Sequence, residues 1–316
     1  MGSGAYSDEL AQQMVYLAGL LTFQQSAAVF ERIAGRHIPE SSIWRAVQEH
    51  GERLRLHLEH RAQQTVPERL VLADARADHT VPKGVSLDGG MVNIRGEGWK
   101  EFKVGSVYDI QLRLEREPNT HELLDMPHAV NIAYTAVLGD VTAFAPALWR
   151  IAVAKGVPTA QDSSVTADGA EWIWNLVADY FPDSVQIVDY FHAKQHLVSA
   201  AQALFPTQAE QAQSWLRSHT DLLYRGQVRP ITRTLDKAGL SVHSHYFHTH
   251  QRRMNYLEFR EAGWPIGSGS VESEVKQYKT RLTAAGMRWS RPGANRMFVI
   301  RGAVLDRSFD SLWAAA

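Results

Sequence analysis

Three acids in this sequence stand where an apolar run or a Gly-rich turn ends. Asp88 follows the apolar run 83–87 and precedes Gly89-Gly90. Asp168 follows 164–167, and Glu272 follows the loop Gly267-Ser268-Gly269-Ser270. In a mixed sheet, groups at strand ends gather along one edge of the layer. Three carboxylates gathered there repel one another unless they share a cation. Hard divalent ions such as Mg²⁺ take oxygen ligands and keep several waters. Two such ions a few Å apart can activate a water or a 3′-hydroxyl and stabilise the leaving oxygen of a phosphodiester. Each acid also has a plainer reading. Asp88-Gly89 fits a hairpin turn, Asp168 fits a helix N-cap, and Glu272 complements the dipole of a first helical turn.

The elements that would position these acids follow from periodicity. Residues 7–63 carry apolar positions at helical spacing, with helices through 10–21 and 22–34 and a break at Gly35. Ser41 is a good N-cap for the next helix, through Ile43, Trp44 and Val47. Two helices joined by the turn 36–40 resemble a helix-turn-helix. In that reading Ser42, Arg45 and Gln48 face a DNA groove; in the plainer one they lie on a helical hairpin. From Thr80 onwards the pattern changes. Strands are predicted at 83–87, 102–110, 133–138, 164–167 and 185–188, and helices at 144–154 and 171–180. The polar, Pro-containing stretch 111–130 reads as a connection. Three adjoining strands followed by helix–strand alternation imply a mixed sheet in an α/β layer. The stretch 192–258 carries no strand pattern and reads as helical. Helices are again predicted at 271–282 and 294–303.

Composition narrows the field. A hydrophobic share of 45% over 316 residues allows a sizeable core. No apolar run is long enough to span a membrane. The opening Met-Gly-Ser-Gly-Ala has neither the charge nor the apolar run of a signal peptide and reads as a truncated boundary. With no cysteine there is no disulfide and no thiolate-bound zinc, which fits a cytoplasmic protein. The net charge of −1 argues against a nucleic-acid partner when taken whole. Yet from Gln251 to Arg301 there are ten Lys or Arg against four acids, and a local basic tract can bind phosphates. His243, His245, His248 and His250 match no standard metal spacing and read as a polar helix entry. Trp264 and Trp289 flank the Glu272 segment. They read either as core or as platforms for an unpaired base.

Three segments carry a family resemblance: LDGGMVNIRGEGWKEFKVG, VTADGAEWIWNLVADYFPDSVQIVDYFHAKQHL and GWPIGSGSVESEVKQYKTRL. In this order, with a helical stretch before the last, they resemble bacterial insertion-sequence transposases of the Kra-type group. That group is related in plan to the Mutator superfamily. The likeness runs from about Tyr6 to Trp313.

The resemblance implies an RNase H-like mixed sheet core with an all-α insertion and an N-terminal helical, helix-turn-helix-like region. The implied division is 1–66 for DNA binding, 67–191 for the first part of the core, 192–262 for the insertion and 263–316 for the closing part. Asp88, Asp168 and Glu272 match a DDE triad holding two Mg²⁺ ions, for which Mn²⁺ substitutes. Asp189 and His192 match an Asp-x-x-His signature and would shape the site without holding metal. Asp189 in place of Asp168, and Glu274 in place of Glu272, remain open. The implied activity is metal-dependent cleavage at element ends and strand transfer into target DNA, with Arg281 and Arg288 positioning phosphates. The implied partners are the element's terminal repeats, target DNA and at least a second protomer, at the bacterial nucleoid in the cytoplasm. Two competing readings are an inactive relative that only binds DNA and a hydrolase using paired carboxylates as acid and base.

Overall fold

The computed structural model describes residues 6–64, 80–116 and 122–316. Three helices come first: α1 (Asp8–Leu20), α2 (Phe23–Ala34) and α3 (Glu40–Gln64). An antiparallel meander follows, of β1 (Lys83–Ile94), β2 (Gly98–Arg116) and β3 (Leu123–Leu138). Then come α4 (Val141–Ala154), β4 (Ser163–Ala167), α5 (Glu171–Tyr180) and β5 (Val185–Val188). Helices α6 (Tyr190–Leu204), α7 (Ala209–Tyr224), α8 (Val228–Lys237), α9 (Ser241–His250) and α10 (Tyr256–Glu261) follow without an intervening strand. The chain closes with α11 (Gly269–Leu282), α12 (Arg291–Leu305) and α13 (Phe309–Ala315). Among the described residues no helix is long and apolar enough to cross a membrane. The expected division at 66/67 and the opening Met-Gly-Ser-Gly-Ala lie outside the described residues.

The strand order is β3-β2-β1-β4-β5. β1 pairs in parallel with β4, and β4 with β5. This order, with these senses, is an RNase H-like mixed core of the α/β class. It carries an N-terminal helical region and an all-helical insertion between β5 and α11. One core lies among the sheet, α4, α5 and the insertion, and includes Leu87, Phe144, Ile173, Ile187 and Phe247. The other lies among the sheet, α1–α3 and α11–α13, and includes Met14, Ile43, Phe102, Tyr278 and Phe298. Each fully buried large side chain contributes about 1.5–3 kcal/mol, so both cores hold the sheet rigid beneath the site.

Local signals explain the first helices. Ser7 caps α1 by accepting from Leu10 N at 3.3 Å, and Asp8 and Glu9 sit at the positive end of its dipole. A capping box between Thr22 and Gln25 starts α2, and Gly35 in the left-handed region ends it. α3 starts at Glu40, one residue earlier than the predicted cap, so Ser41 lies in its first turn. At 25 residues, α3 is a long strut that packs on α12 and α1.

Two strand predictions differ from the structure. β1 does not stop at Asp88 but runs on through Gly89-Gly90 to Ile94. Gly90 pairs with Phe102, and a Cβ there would stand 2.3 Å from the Phe102 ring. The glycine therefore marks a close approach inside a strand, not a strand end. The hairpin turn falls instead at 95–97. The predicted connection 111–130 is mostly strand: β2 and β3 pair out to Arg116 and Leu123. Leu112 is 50% and Leu114 67% exposed, and of the described residues on these arms only Met126 is buried, so burial imposes no alternation. Pro127 is tolerated because β3 is an edge strand.

Two arginines of the basic tract serve the fold. Arg281 Nε donates to Ala18 O at 2.7 Å and Arg301 Nη1 to Gly19 O at 3.0 Å. These are carbonyls at the C-terminal end of α1, which have no partner within the helix. Both guanidiniums are buried and so fasten α11 and α12 to α1.

Candidate active site

The parallel register of β1 and β4 pairs Leu87 with Ala167, so Asp88 and Asp168 emerge side by side, one residue further on. Adjacent strands lie roughly 4.8 Å apart. Burial pushes the Asp88 carboxyl up to about 6, and the neighbouring Asp168 charge adds to the rise. The Gly89 amide, which donates to Asp88 Oδ1 at 2.6 Å, opposes it, as do His192 and Lys279. Asp168 is not the cap residue of α5, a position held by Ala170, but its Oδ1 accepts from Ala170 N at 2.8 Å. Its carbonyl accepts from the Trp174 indole at 3.0 Å. The acid is thus oriented from both sides.

Asp189 ends β5 and is completely buried. It caps α6: Oδ1 accepts from the backbone of His192 at 2.8 Å. Oδ2 accepts from Ser268 N at 2.5 Å and from Ser268 Oγ at 2.6 Å. Asp189 therefore ties the exit of the sheet to the loop that launches α11, and both of its oxygens are engaged. The His192 ring is left free to face Glu272, with Nε2 3.7 Å from Oε1. Lys276 Nζ approaches the other carboxylate oxygen at 3.8 Å. Among the described residues one group of potential ligand atoms lies within 4.8 Å of one another: Asp189, His192 and Glu272. Asp88 and Asp168 stand outside that group. Of its members Asp189 is the least available to a cation, since three donors already occupy its oxygens.

Glu272 and Glu274 point to different surroundings. Two residues on a helix are about 200° apart. Glu272 is partly exposed toward His192, while Glu274 is fully buried on the other side of α11. Burial and the charge of Asp306 push the Glu274 carboxyl up to about 8.

The insertion closes over Asp168, a placement that the sequence pattern did not reveal. A Cβ on Gly169 would meet the Tyr246 ring of α9 at 2.4 Å and His250 Nε2 at 3.1 Å, so these two side chains close directly over the Asp168-Gly169 turn. Arg253 can only donate, so His250 Nδ1 accepts from it at 3.2 Å and Nε2 carries the proton bonded to the Gly169 backbone. The histidine-rich stretch is therefore in part a buttress. Its His243 meets His196 ring nitrogen to ring nitrogen at 3.1 Å. The places of Ser268 against Asp189 and of Tyr246 and His250 over the Asp168-Gly169 turn escaped the sequence reading because only the topology brings them together. The lone signals were a Gly/Ser loop and a cluster of histidines.

A stability prediction follows from His250. Burial, then the charge of Arg253, pulls its imidazole from 6.5 down to about 4. The folded value lies below the unfolded one. Its contribution to stability is therefore complete above pH 6.5 and lost as pH falls from 6.5 toward 4. His196, pulled to about 4 by burial and the charge of His243, behaves alike. His250→Gln is expected to make the fall of melting temperature across that window shallower. An unchanged slope in a pH series of thermal melts would contradict this.

The remaining expected site residues lie elsewhere. Arg45 is exposed on α3 and its Nε folds back onto Ser41 O at 3.1 Å. Ser42 is half-buried, and Gln48 Oε1 accepts from Arg296 Nη1 at 2.6 Å. Arg288 is exposed in the α11–α12 loop, while Arg281 is 3% exposed. Trp264 packs against the insertion-side core and Trp289 against the other.

No family model matches the chain, and no curated protein matches it in sequence. Among solved structures it is similar to the Drosophila P element transposase of a strand transfer complex, at 10% identity and a TM-score of 0.31, over 98% of this chain and 81% of that one.

Proposed function

We propose that this protein is a DDE-type DNA transposase whose acids Asp88, Asp168 and Glu272 hold two Mg²⁺ ions. The observation that carries the reading is the β1–β4 register: it sets Asp88 beside Asp168 at one sheet edge, with Glu272 arriving on α11 after an all-helical insertion. The three segments that resemble Kra-type insertion-sequence transposases support it. The donor set suits the ions, being all oxygen, as hard divalent cations require. The pressure on Asp88 to stay protonated, from burial and from Asp168, is what a shared cation relieves.

The ions supply activation of the attacking oxygen and charge stabilisation on the leaving one. The chain itself does the positioning. Gly89 and Ala170 amides orient the two aspartates. Asp189 and Ser268 fix the start of α11 and hence Glu272. Lys276 and Lys279, exposed on α11 beside the acids, attract the scissile strand. A water cleaves a strand at the element end, and the freed 3′-hydroxyl then attacks target DNA. Two ends are cut together, so the working assembly contains at least two protomers.

Nicking of end-containing DNA is the direct test. Cleavage is expected with Mg²⁺ or Mn²⁺ and none in EDTA. Cleavage that persists in EDTA would point to acid–base hydrolysis by paired carboxylates. Binding without cleavage in any metal would leave an inactive DNA-binding relative.

A further inference from the structure

At the far end of α11 from Glu272 lies a cavity of about 520 Å³. That is within the range of small-ligand sites. Its walls combine Phe23 of α2, Trp44 of α3 and Trp289 of the α11–α12 loop with Arg95, Arg281 and Arg288; no acid lines it. The walls are fixed. Trp289 bonds to the end of β1 through its own N–H to Asn93 O at 3.0 Å, and to the hairpin turn through Arg95 N, which donates to its carbonyl at 2.8 Å. Its indole donates to Leu282 O at 2.9 Å. Arg281 is held between rings, its guanidinium carbon 5.4 Å from Phe23 and 5.1 Å from Trp289. Although it is 3% exposed, its Nη2 has no hydrogen-bond partner among the described residues. A buried guanidinium N–H without an acceptor is costly and marks a place for one. Trp44, which also lines the cavity, is 49% exposed.

Three cations without an acid select an anion. Three aromatic rings select a flat, stackable face. A bare phosphate would leave the rings unused, and a neutral ring would leave Arg281 unpaired. A nucleotide satisfies both, but only when its base is unpaired, because a base inside a duplex already has its faces covered. We propose that this cavity holds one unpaired nucleotide of a DNA strand, its base against Trp44 and Trp289 and its phosphate on Arg281 with Arg95 and Arg288 at the rim. The proposal rests on the nucleic-acid reading above and extends it to a second site. Arg281 lies nine residues along α11 from Glu272, about 13 Å. That distance is spanned by roughly four stacked nucleotides at 3.4 Å each. A strand engaged at the acids can therefore also reach the cavity.

The test uses the full chain in EDTA, so that no cleavage enters the reading. Anisotropy compares a short labelled single-stranded DNA with the same sequence as a blunt duplex. Stacking of one base is worth roughly 1–3 kcal/mol, so Trp44→Ala is expected to weaken single-strand binding about tenfold and duplex binding far less. Trp44→Phe, which keeps an aromatic face, should recover most of the loss. Arg95→Gln should weaken the single strand selectively as well, with a smaller salt dependence. Trp44 and Arg95 are exposed, so thermal melts should show both variants folded. Equal losses on both DNAs, or no loss with Trp44→Ala, would overturn the proposal. A chain that never nicks DNA yet passes this test loses the transposase reading and keeps the cavity. One that nicks normally but shows no selective loss keeps the reading and loses the cavity.

Discussion

Asp88→Asn, Asp168→Asn and Glu272→Gln are each expected to reduce metal-dependent nicking by about 10³-fold or more, equal to roughly 4 kcal/mol of transition-state stabilisation. The loss should come without loss of fold. Asp88 accepts one hydrogen bond, from the adjacent Gly89 amide, and an asparagine oxygen can accept it equally. Asp168 likewise bonds locally, to Ala170 N, and its carbonyl contact to Trp174 is backbone and survives substitution. Glu272 is partly exposed, and its neighbours His192 and Lys276 lie at 3.7 and 3.8 Å, too far for strong bonds. Nicking measured beside thermal melts checks this. Near-normal cleavage by Asp168→Asn, with cleavage lost in a stable Asp189→Asn, would make Asp189 the second acid.

Asp189→Ala is expected to behave in the opposite way, as a fold defect. The substitution leaves His192 N, Ser268 N and Ser268 Oγ without their acceptor at a fully buried position. Stranded buried donors cost about 1–3 kcal/mol each, so a loss of about 3 kcal/mol or more is expected, read in denaturant melts. The start of α11 should loosen with it, since Ser268 precedes that helix. The His192 side chain is a separate matter, because Asp189 holds its backbone and not its ring. His192→Ala should therefore melt close to the parent, and any cleavage loss in it belongs to the ring's place beside Glu272. An Asp189→Ala protein as stable as the parent but unable to bind Mn²⁺ would make Asp189 a ligand.

Much of this arrangement was legible in the residues. The short β-branched segments 164–167 and 185–188, each bounded by helical patterns, are parallel strands β4 and β5. The helical stretch before the last segment became α6–α10. Less legible were features that depend on what lies opposite. Gly89-Gly90 reads locally as a turn, and only the Phe102 ring across the ladder explains it as strand. The outer arms of β2 and β3 leave no periodic trace because, of their described residues, only Met126 is buried. The charge tract around 251–301 reads as one basic surface, yet Arg301 turns inward to the Gly19 carbonyl of α1 and the Gln277 carbonyl of α11. Counting charges cannot separate an arginine that caps a helix from one that meets a phosphate. The groups above Asp168, Tyr246 and His250, lie some 80 residues away in sequence, and only the folding of the insertion back over the sheet reveals them.

Anomalous scattering from crystals of this protein soaked in Mn²⁺ locates the ions directly. Density bounded by Asp88, Asp168 and Glu272, lost in Asp88→Asn, is the expected result. An ion held instead by Asp189, His192 and Glu272, with Asp88 and Asp168 unengaged, or no ion at this sheet edge, would contradict it.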